Sequence, residues 1–463
     1  MQLKPLYIKE FPKALPLKKL LGPSFIILGL GLGSGEVILW PFLASNFGLG
    51  IIWGAIIGIT LQFFMNMEIE RYALVNGESV FVGFARKLKW LPFWFIFSTF
   101  IPWIWPGIAA SSAKLFGAVA GFENTGLLTV ILLVLIGLIL SLGPVLYKTV
   151  ENLQKILIAI GVPSIFILAI TLADKTAWSS LAKGAVGIGE GYFLLPLGIP
   201  IASFLAALAY AGAGGNLNLA QSFYIKEKGY GMGKYAGKIT SVLTGKNEDV
   251  SLSGSTFETN PENIKEFNKW WKNVNIEHFL VFWLTGTVTI LLLALLSYST
   301  TYNTGQSISN INFVISEARV IGERLAPFMG TFFLLITGLT LFGTQLTVFD
   351  ATSRILSENI ILASGGRLLE KHIRKTYYIV LWLQILAGIV VLLLGFTEPL
   401  QLVTTAAVLN AFTMFVHVGL TLWLNKTSLA THLKPSGWRV AIMVTAFLLY
   451  GGFSIYTIAD RLF

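Results

Sequence analysis

The sequence predicts an all-α integral membrane protein of eleven transmembrane helices, two of them discontinuous, and three observations carry that expectation. Hydrophobic residues make up 55% of the 463-residue chain and charged residues only 12%, about half the charge of an ordinary soluble domain. Apolar segments recur from end to end, each of the ~18 residues or more needed to cross the hydrocarbon core. Two of these segments are interrupted, by Gly29-Leu-Gly-Leu-Gly-Ser-Gly-Glu36 and by Ala211-Gly-Ala-Gly-Gly-Asn216. Glycine disfavours helix by about 1 kcal/mol per residue against alanine, so both stretches are expected to unwind. Paired interruptions in the two halves of a chain point to a transporter's site near the bilayer midplane.

The expected spans are 22–44, 47–70, 91–112, 126–146, 152–173, 194–224, 277–297, 328–348, 377–396, 399–424 and 438–459, numbered here helix 1 to helix 11. A lysine-rich arm with Lys18 and Lys19 leads into helix 1, whose only carboxylate is Glu36. Helix 2 ends in Met67-Glu-Ile-Glu-Arg-Tyr72, with Phe84-Ala-Arg-Lys87 beyond it. The simplest reading there is a solvated helix end with snorkelling basic residues; the alternative is an inner gate whose charges pair across helices. Helices 3, 4 and 5 are long apolar runs, and helix 6 carries the second interruption. The longest hydrophilic stretch, 225–276, contains Asn260-Pro261, an N-cap followed by proline at the first helical position. Ile264, Phe267, Trp270, Trp271 and Val274 then share a face opposite lysines, which predicts an amphipathic helix lying on the inner membrane surface. Helix 8 exits through the polar stretch Leu341–Arg354, and Arg354, Arg367, Lys371, Arg374 and Lys375 crowd the connection to helix 9. In helix 10, Asn410, Thr413 and His417 fall on one face and are expected to point into the bundle. Helix 11 closes the chain.

With the N-terminus inside, 27 of the 33 Lys and Arg lie on inner segments. The positive-inside rule therefore predicts a cytoplasmic N-terminus and an outer C-terminus, as an odd number of spans requires. The net charge of +10 is a topology signal and not a nucleic-acid footprint. The first apolar run passes into the next without a cleavage-type site, so no removable signal peptide is expected, and the membrane implied is a prokaryotic plasma membrane. The chain has no cysteine, and His278, His372, His417 and His432 are scattered, which excludes disulfides and thiolate metal ligation. No nucleotide-binding motif is present. The glycine run does not match GxGxxG, and apolar helix flanks it on both sides. No cofactor, no ATP site and no required protein partner are expected beyond the lipid bilayer and a small substrate.

A carboxylate at membrane depth is costly and marks a functional site, which singles out Glu36. Freed glycine carbonyls beside it suit a hard cation, whereas half-helix N-termini suit an anion, so the backbone alone leaves the substrate's charge open. Asn216 and Asn218, after the second interruption, offer side-chain oxygens. The candidate binding set is Gly33, Ser34, Glu36, Tyr210, Ala213, Gly214, Asn216, Asn218, Gln345 and Asn410, with Glu36 and Asn216 as metal ligands.

At these interruptions the chain resembles the Nramp divalent-metal transporters. Leu20-Leu-Gly-Pro-Ser-Phe25 and Asn46-Phe-Gly-Leu-Gly50 look like that family's entry to helix 1 and its passage into helix 2, and Gly343-Thr-Gln-Leu-Thr347 with the polar stretch after it looks like its signature between helices 8 and 9. The resemblance implies a leucine-transporter-type 5+5 inverted repeat, with 22–173 and 194–424 as the two repeats and 438–459 as an added helix. It also shows where the chain departs. The family's DPGN aligns with Gly33-Ser-Gly-Glu36, so the metal-binding Asp becomes Gly33 and the Asn becomes Glu36. MPH aligns with Ala213-Gly-Gly215, a further family histidine with Ala220, and the helix 3 acidic pair with Ser111 and Lys114. With the thioether gone, the resemblance implies a hard or partly hydrated ion such as Mg2+ in place of Mn2+ or Fe2+, and transport without the usual proton coupling. A small organic cation or amino-acid-like substrate is the alternative, and a non-transporting receptor or sensor is a third.

Overall fold

A computed structural model describes residues 3–20, 22–142, 146–237, 251–302 and 310–462. Among them, ten helices are long and apolar enough to cross a membrane. Helix 6 is not one of the ten because it is built from short pieces. Helix 1 is Pro23–Phe47, helix 2 Leu49–Asn76, helix 3 Leu91–Ala120, helix 4 Thr125–Leu142 and helix 5 Tyr147–Leu172. Helix 7 is Pro261–Thr301, helix 8 Pro327–Ala363, helix 9 Glu370–Leu393, helix 10 Pro399–Ser428 and helix 11 Gly437–Thr457.

Enclosure separates centre from rim. The most apolar window of helix 1 is 94% buried, against 28% for helices 5 and 11. Helix 1 therefore runs through the middle of the bundle while helices 5 and 11 face lipid. Helix 8 is the main wall beside it, packing on helices 1, 3, 5 and 9.

Helix 6 unwinds as its glycines predict. It runs as Ile201–Ala209, leaves helical geometry at Tyr210–Gly214, winds as a tight 3-10 stretch over Gly215–Ala220 and resumes at Gln221–Lys228. Gly214 (φ +71°) and Gly215 (φ +57°) hold backbone conformations that side chains disfavour. Helix 3 is also broken, between Trp103 and Gly107, where Pro102 and Pro106 interrupt the ladder.

Three expectations are corrected. Helix 1 does not unwind at Gly29–Glu36: it stays α-helical over Pro23–Ser34 and widens to a π-turn over Gly35–Leu39 before resuming at Trp40. The Trp40 N–H reaches back five residues to the Gly35 carbonyl. Pro41 follows with no N–H to give and a ring that crowds the preceding turn, which favours the wider winding. Second, the end of helix 2 is not a solvated cap, since Glu68, Glu70, Arg71 and Tyr72 are all buried within an unbroken helix.

Third, the amphipathic stretch does not lie on the membrane surface. Asn260 does cap it, accepting the Asn263 N–H at 2.9 Å, but the helix continues through a π-turn at Phe279–Leu284 into the rest of helix 7. Its apolar face is covered by protein. Phe267, Trp270 and Val274 are buried, Phe11 of the N-terminal arm packs on Phe267, and Trp270 donates to the Pro12 carbonyl at 2.9 Å. The arm is fixed again where Tyr7–Ile8 pairs in parallel with Ser255–Thr256. Residues 238–250 of this connection lie outside the described residues.

Candidate functional site

The glycines of helix 1 are notches. A Cβ on Gly31 would stand 2.8 Å from the Gly212 carbonyl carbon, one on Gly35 would strike the Tyr210 carbonyl, and one on Gly33 would stand 2.6 Å from the Thr344 side chain. The bare faces of the run thus admit the helix 6 break on one side and helix 8 on the other. Thr344 completes the second contact by donating to the Gly29 carbonyl at 2.8 Å. Gly33, a candidate site residue, is therefore covered by Thr344.

Glu36 lies in the π-turn and faces helix 7, where a Cβ on Gly286 would be 3.3 Å from its Oε1. It is fully buried, and neither carboxylate oxygen has a hydrogen-bond partner. The Ser34 and Thr287 hydroxyls are also buried without partners. A buried carboxylate left in that condition is among the most costly arrangements a fold holds, and it is relieved by a proton or a cation.

The helix 6 break is held by side chains from three other helices. Gln62 of helix 2 donates to the Ala209 carbonyl at 3.0 Å and accepts from the Gly214 N–H at 3.3 Å and from Asn218 at 3.1 Å. Asn218 also donates to Asn66 at 2.8 Å. Asn216 donates to Ser98 at 2.8 Å and Thr99 at 3.0 Å on helix 3. Asn410 of helix 10 donates to the Tyr210 hydroxyl at 2.8 Å, and the Tyr210 ring stacks on Trp103 at 5.6 Å between centroids. In each of Asn216, Asn218 and Asn410 the amide nitrogen is used and the oxygen is left buried and unpartnered. The break is thus lined by outward-committed donors and free acceptors.

The predicted residues divide accordingly. Tyr210, Gly215 and Asn410 meet; Asn216 and Asn218 face helices 3 and 2; Glu36 makes no hydrogen bond to any of them. Ala213 and Gly214 are buried in the break, and Ala220 is buried at the end of the 3-10 stretch. Gln345 caps the second half of helix 3, its Oε1 accepting the Ala109 N–H at 3.2 Å. Ser111 folds back onto the Gly107 carbonyl at 2.8 Å, and Lys114 is half-buried on the same half-helix. Thr413 and His417 are buried along with Asn410, as the shared face of helix 10 predicts.

Gln62, Asn66, Ser98, Thr99, Trp103 and Thr344 are the residues that sequence reasoning missed. Gln62 and Asn66 were detectable as two amides one turn apart inside an apolar run. Thr344 lies in a stretch marked only by its family resemblance, and nothing in one sequence pairs it with Gly29. A cavity of about 200 Å³ between helices 6, 10 and 11 is lined by Leu205, Val408, Phe412 and Phe453 and holds no charged group, so it does not suit an ion.

No protein-family model matches the chain, and no curated protein matches it in sequence. Its fold does match solved structures. Crystal structures of a manganese transporter from Eremococcus coleocola superpose with a TM-score of 0.71 at 13% identity, covering 98% of this chain and 90% of that one. The same transporter in complex with an aromatic bis-isothiourea compound gives 0.70 at 14% identity, over 99% and 91%. A structure of MhsT in complex with L-phenylalanine gives 0.50 at 13% identity, over 94% and 97%.

Proposed function

The fold is Nramp-like, on the leucine-transporter-type inverted-repeat plan, and from that premise we propose that the chain is a secondary transporter carrying a small cation by alternating access. The observation that carries the reading is Glu36: a fully buried carboxylate with two unpartnered oxygens, on the π-turn of the central helix, beside the helix 6 break. On this reading 22–173 and 194–424 are the two repeats that move against each other, with the N-terminus cytoplasmic and the C-terminus outside, in a prokaryotic plasma membrane.

The cargo proposed is a hard divalent ion, Mg2+ before Mn2+ or Fe2+. The oxygens on offer are one carboxylate and the free amide oxygens of Asn216, Asn218 and Asn410, and Ala213 and Gly215 stand where the family pattern has its thioether and imidazole. Few protein oxygens and retained water are the habit of Mg2+, whereas Mn2+ and Fe2+ gain from softer ligands. Binding would draw Glu36 and Asn216 together, a movement between helices 1 and 6 that alternating access supplies. Proton passage along helix 3 is not expected, since Ser111 and Lys114 stand where the family pattern has acids and Gly215 and Ala220 where it has histidines.

The test is flux into proteoliposomes. Mg2+ uptake should exceed Mn2+ uptake, and Glu36→Gln should abolish it while the purified protein stays monodisperse. Mn2+ uptake that outcompetes Mg2+ rejects the cargo, and normal flux in the Glu36→Gln variant rejects the site. Binding of amines or amino acids with indifference to divalent ions assigns the carrier to organic substrates instead.

A further inference from the structure

We propose that Glu70, Glu277 and His278, joined through Ser24, form a proton-binding site that latches helix 1 to helices 2 and 7 at the end of the bundle carrying the N-terminal arm, and that release of its proton frees helix 1.

Ser24 is the second residue of helix 1. Its hydroxyl donates to Glu277 Oε2 in a short hydrogen bond and lies 2.8 Å from His278 Nδ1. His278 Nδ1 is in turn 3.3 Å from Glu70 Oε1 on helix 2, and Gln221 of helix 6 donates to the same oxygen at 2.6 Å. Ser24, Glu70, Gln221, Glu277 and His278 are each at most 3% exposed. The hydrogens can be counted. With Glu277 ionised, the single Ser24 proton goes to it, and His278 Nδ1 then carries the hydrogen that it shares with Ser24 Oγ and Glu70 Oε1. Nε2 is buried with no acceptor for a second hydrogen, so the ring is neutral and both carboxylates remain to be balanced.

Among the described residues no ammonium or guanidinium is bonded to either carboxylate. Lys228, the basic group facing Glu277 from helix 6, is bonded to Glu151 at 2.7 Å. The other titratable groups facing the cluster are Tyr230 from the connection after helix 6 and Tyr147 and Glu151 from helix 5, and none of these brings a positive charge. Two carboxyls confined together without a cation share a proton, because both cannot ionise in one dry site. The His278 ring is stacked between Phe63 at 5.5 Å and Phe282 at 4.8 Å, which fixes its plane and excludes water from its faces. Glu70 Oε2, Glu277 Oε1 and His278 Nε2 are buried without partners, so acceptors for the shared proton are present. Among the described residues the group does not converge as a metal-ligand set, which leaves the proton as the ligand.

Loss of that proton would leave two bare carboxylates at the two ends of the Ser24–His278 link, and the element free to move away is the first turn of helix 1. Water has a short route in, because Gly22 abuts Tyr147, Glu151 and Lys228, and the Lys228 side chain is 24% exposed. The latch gives the alternating-access reading a pH-sensitive inner closure, and it rests on that reading only for its purpose.

The chain has no cysteine, so Leu28→Cys, one turn above Ser24 and fully buried, gives a clean probe of helix 1. Its labelling by a membrane-impermeant maleimide is measured in inside-out vesicles against Lys265→Cys, an exposed control that corrects for thiolate chemistry. The ratio is expected to rise by about tenfold as pH goes from about 5.5 to about 8.5. Adding Glu277→Ala should make labelling fast at every pH, and adding Glu70→Gln, which imitates the protonated acid, should hold it slow at every pH. A flat ratio in the parent overturns the proposal, as does a pH profile unchanged by both substitutions. The unmodified protein supplies a second readout: the infrared band of a protonated carboxyl should fade over the same pH range, and a band that does not change overturns the proposal. Flux plays no part in either measurement, so a failed Glu36 experiment and a failed latch are distinguishable.

Discussion

At Gly35 the missing side chain lets the Tyr210 carbonyl lie directly against helix 1, and the next residue, Glu36, is the carboxylate that this packing seals from water. Gly35→Ala puts a methyl into backbone that cannot yield, so it should destabilise the protein by about 1–3 kcal/mol, read as a lower midpoint in thermal unfolding of the detergent-purified chain. Glu36→Gln should do the opposite of an ordinary core mutation. It removes a charge that no donor satisfies, so the midpoint should stay or rise while substrate binding is lost. A fall in the midpoint comparable to that of Gly35→Ala would show that Glu36 serves the fold. Glu36 was legible in the sequence because a lone carboxylate in an apolar run admits few explanations. That its neighbours are notches and not hinges was not, since a glycine reads the same in either role.

The helix 6 break is an element that the sequence locates but does not hold in place. Its backbone groups are satisfied from outside, chiefly by Gln62, which bonds both the Ala209 carbonyl and the Gly214 N–H. Gln62→Leu leaves those groups buried and unpaired at about 1–3 kcal/mol for each, and faster amide exchange at Gly214 should report it. Helix 1 shows the converse. Its glycines weaken helix, yet Thr344 and the helix 6 backbone fill the space beside them, so the segment answers Pro41 with a π-turn and does not open. A smaller element carries a pH prediction. The helix Lys175–Gly184 is capped by Asp174, which accepts the Ala177 N–H at 2.8 Å, and that bond lowers the Asp174 carboxyl below its ordinary value of 3.8. A lowered value means the cap is in force above about that pH and is lost as pH falls through it, so exchange at Ala177 should quicken only in strong acid.

On the scale of the whole molecule, buried charge ties the helices together at the end that carries the N-terminal arm. Arg354 of helix 8 bonds Asp350 at 2.9 Å and, by a short contact, Glu227 of helix 6, while Tyr377 of helix 9 donates to Asp350 at 2.8 Å. Glu68 of helix 2 holds Arg71 at 2.8 Å and meets Arg439 of helix 11 at 3.4 Å. Of these contacts Arg354–Glu227, Tyr377–Asp350 and Arg439–Glu68 join different helices, whereas Arg354–Asp350 and Arg71–Glu68 each lie within one. Arg354→Met strands two buried carboxylates at a cost of about 3–5 kcal/mol, and adding Asp350→Asn with Glu227→Gln should recover most of it in the same unfolding measurement. The sequence by itself determined the membrane setting, the eleven apolar segments, the break in helix 6 and the lone carboxylate of helix 1, because composition, hydropathy and glycine content act locally along the chain. Only the tertiary structure decided that helix 1 stays wound, that the acidic end of helix 2 is buried, that the amphipathic start of helix 7 packs on protein, and which side chains hold the break. Those outcomes depend on what stands opposite each residue, and a free energy of contact between segments hundreds of residues apart leaves no mark on either segment alone.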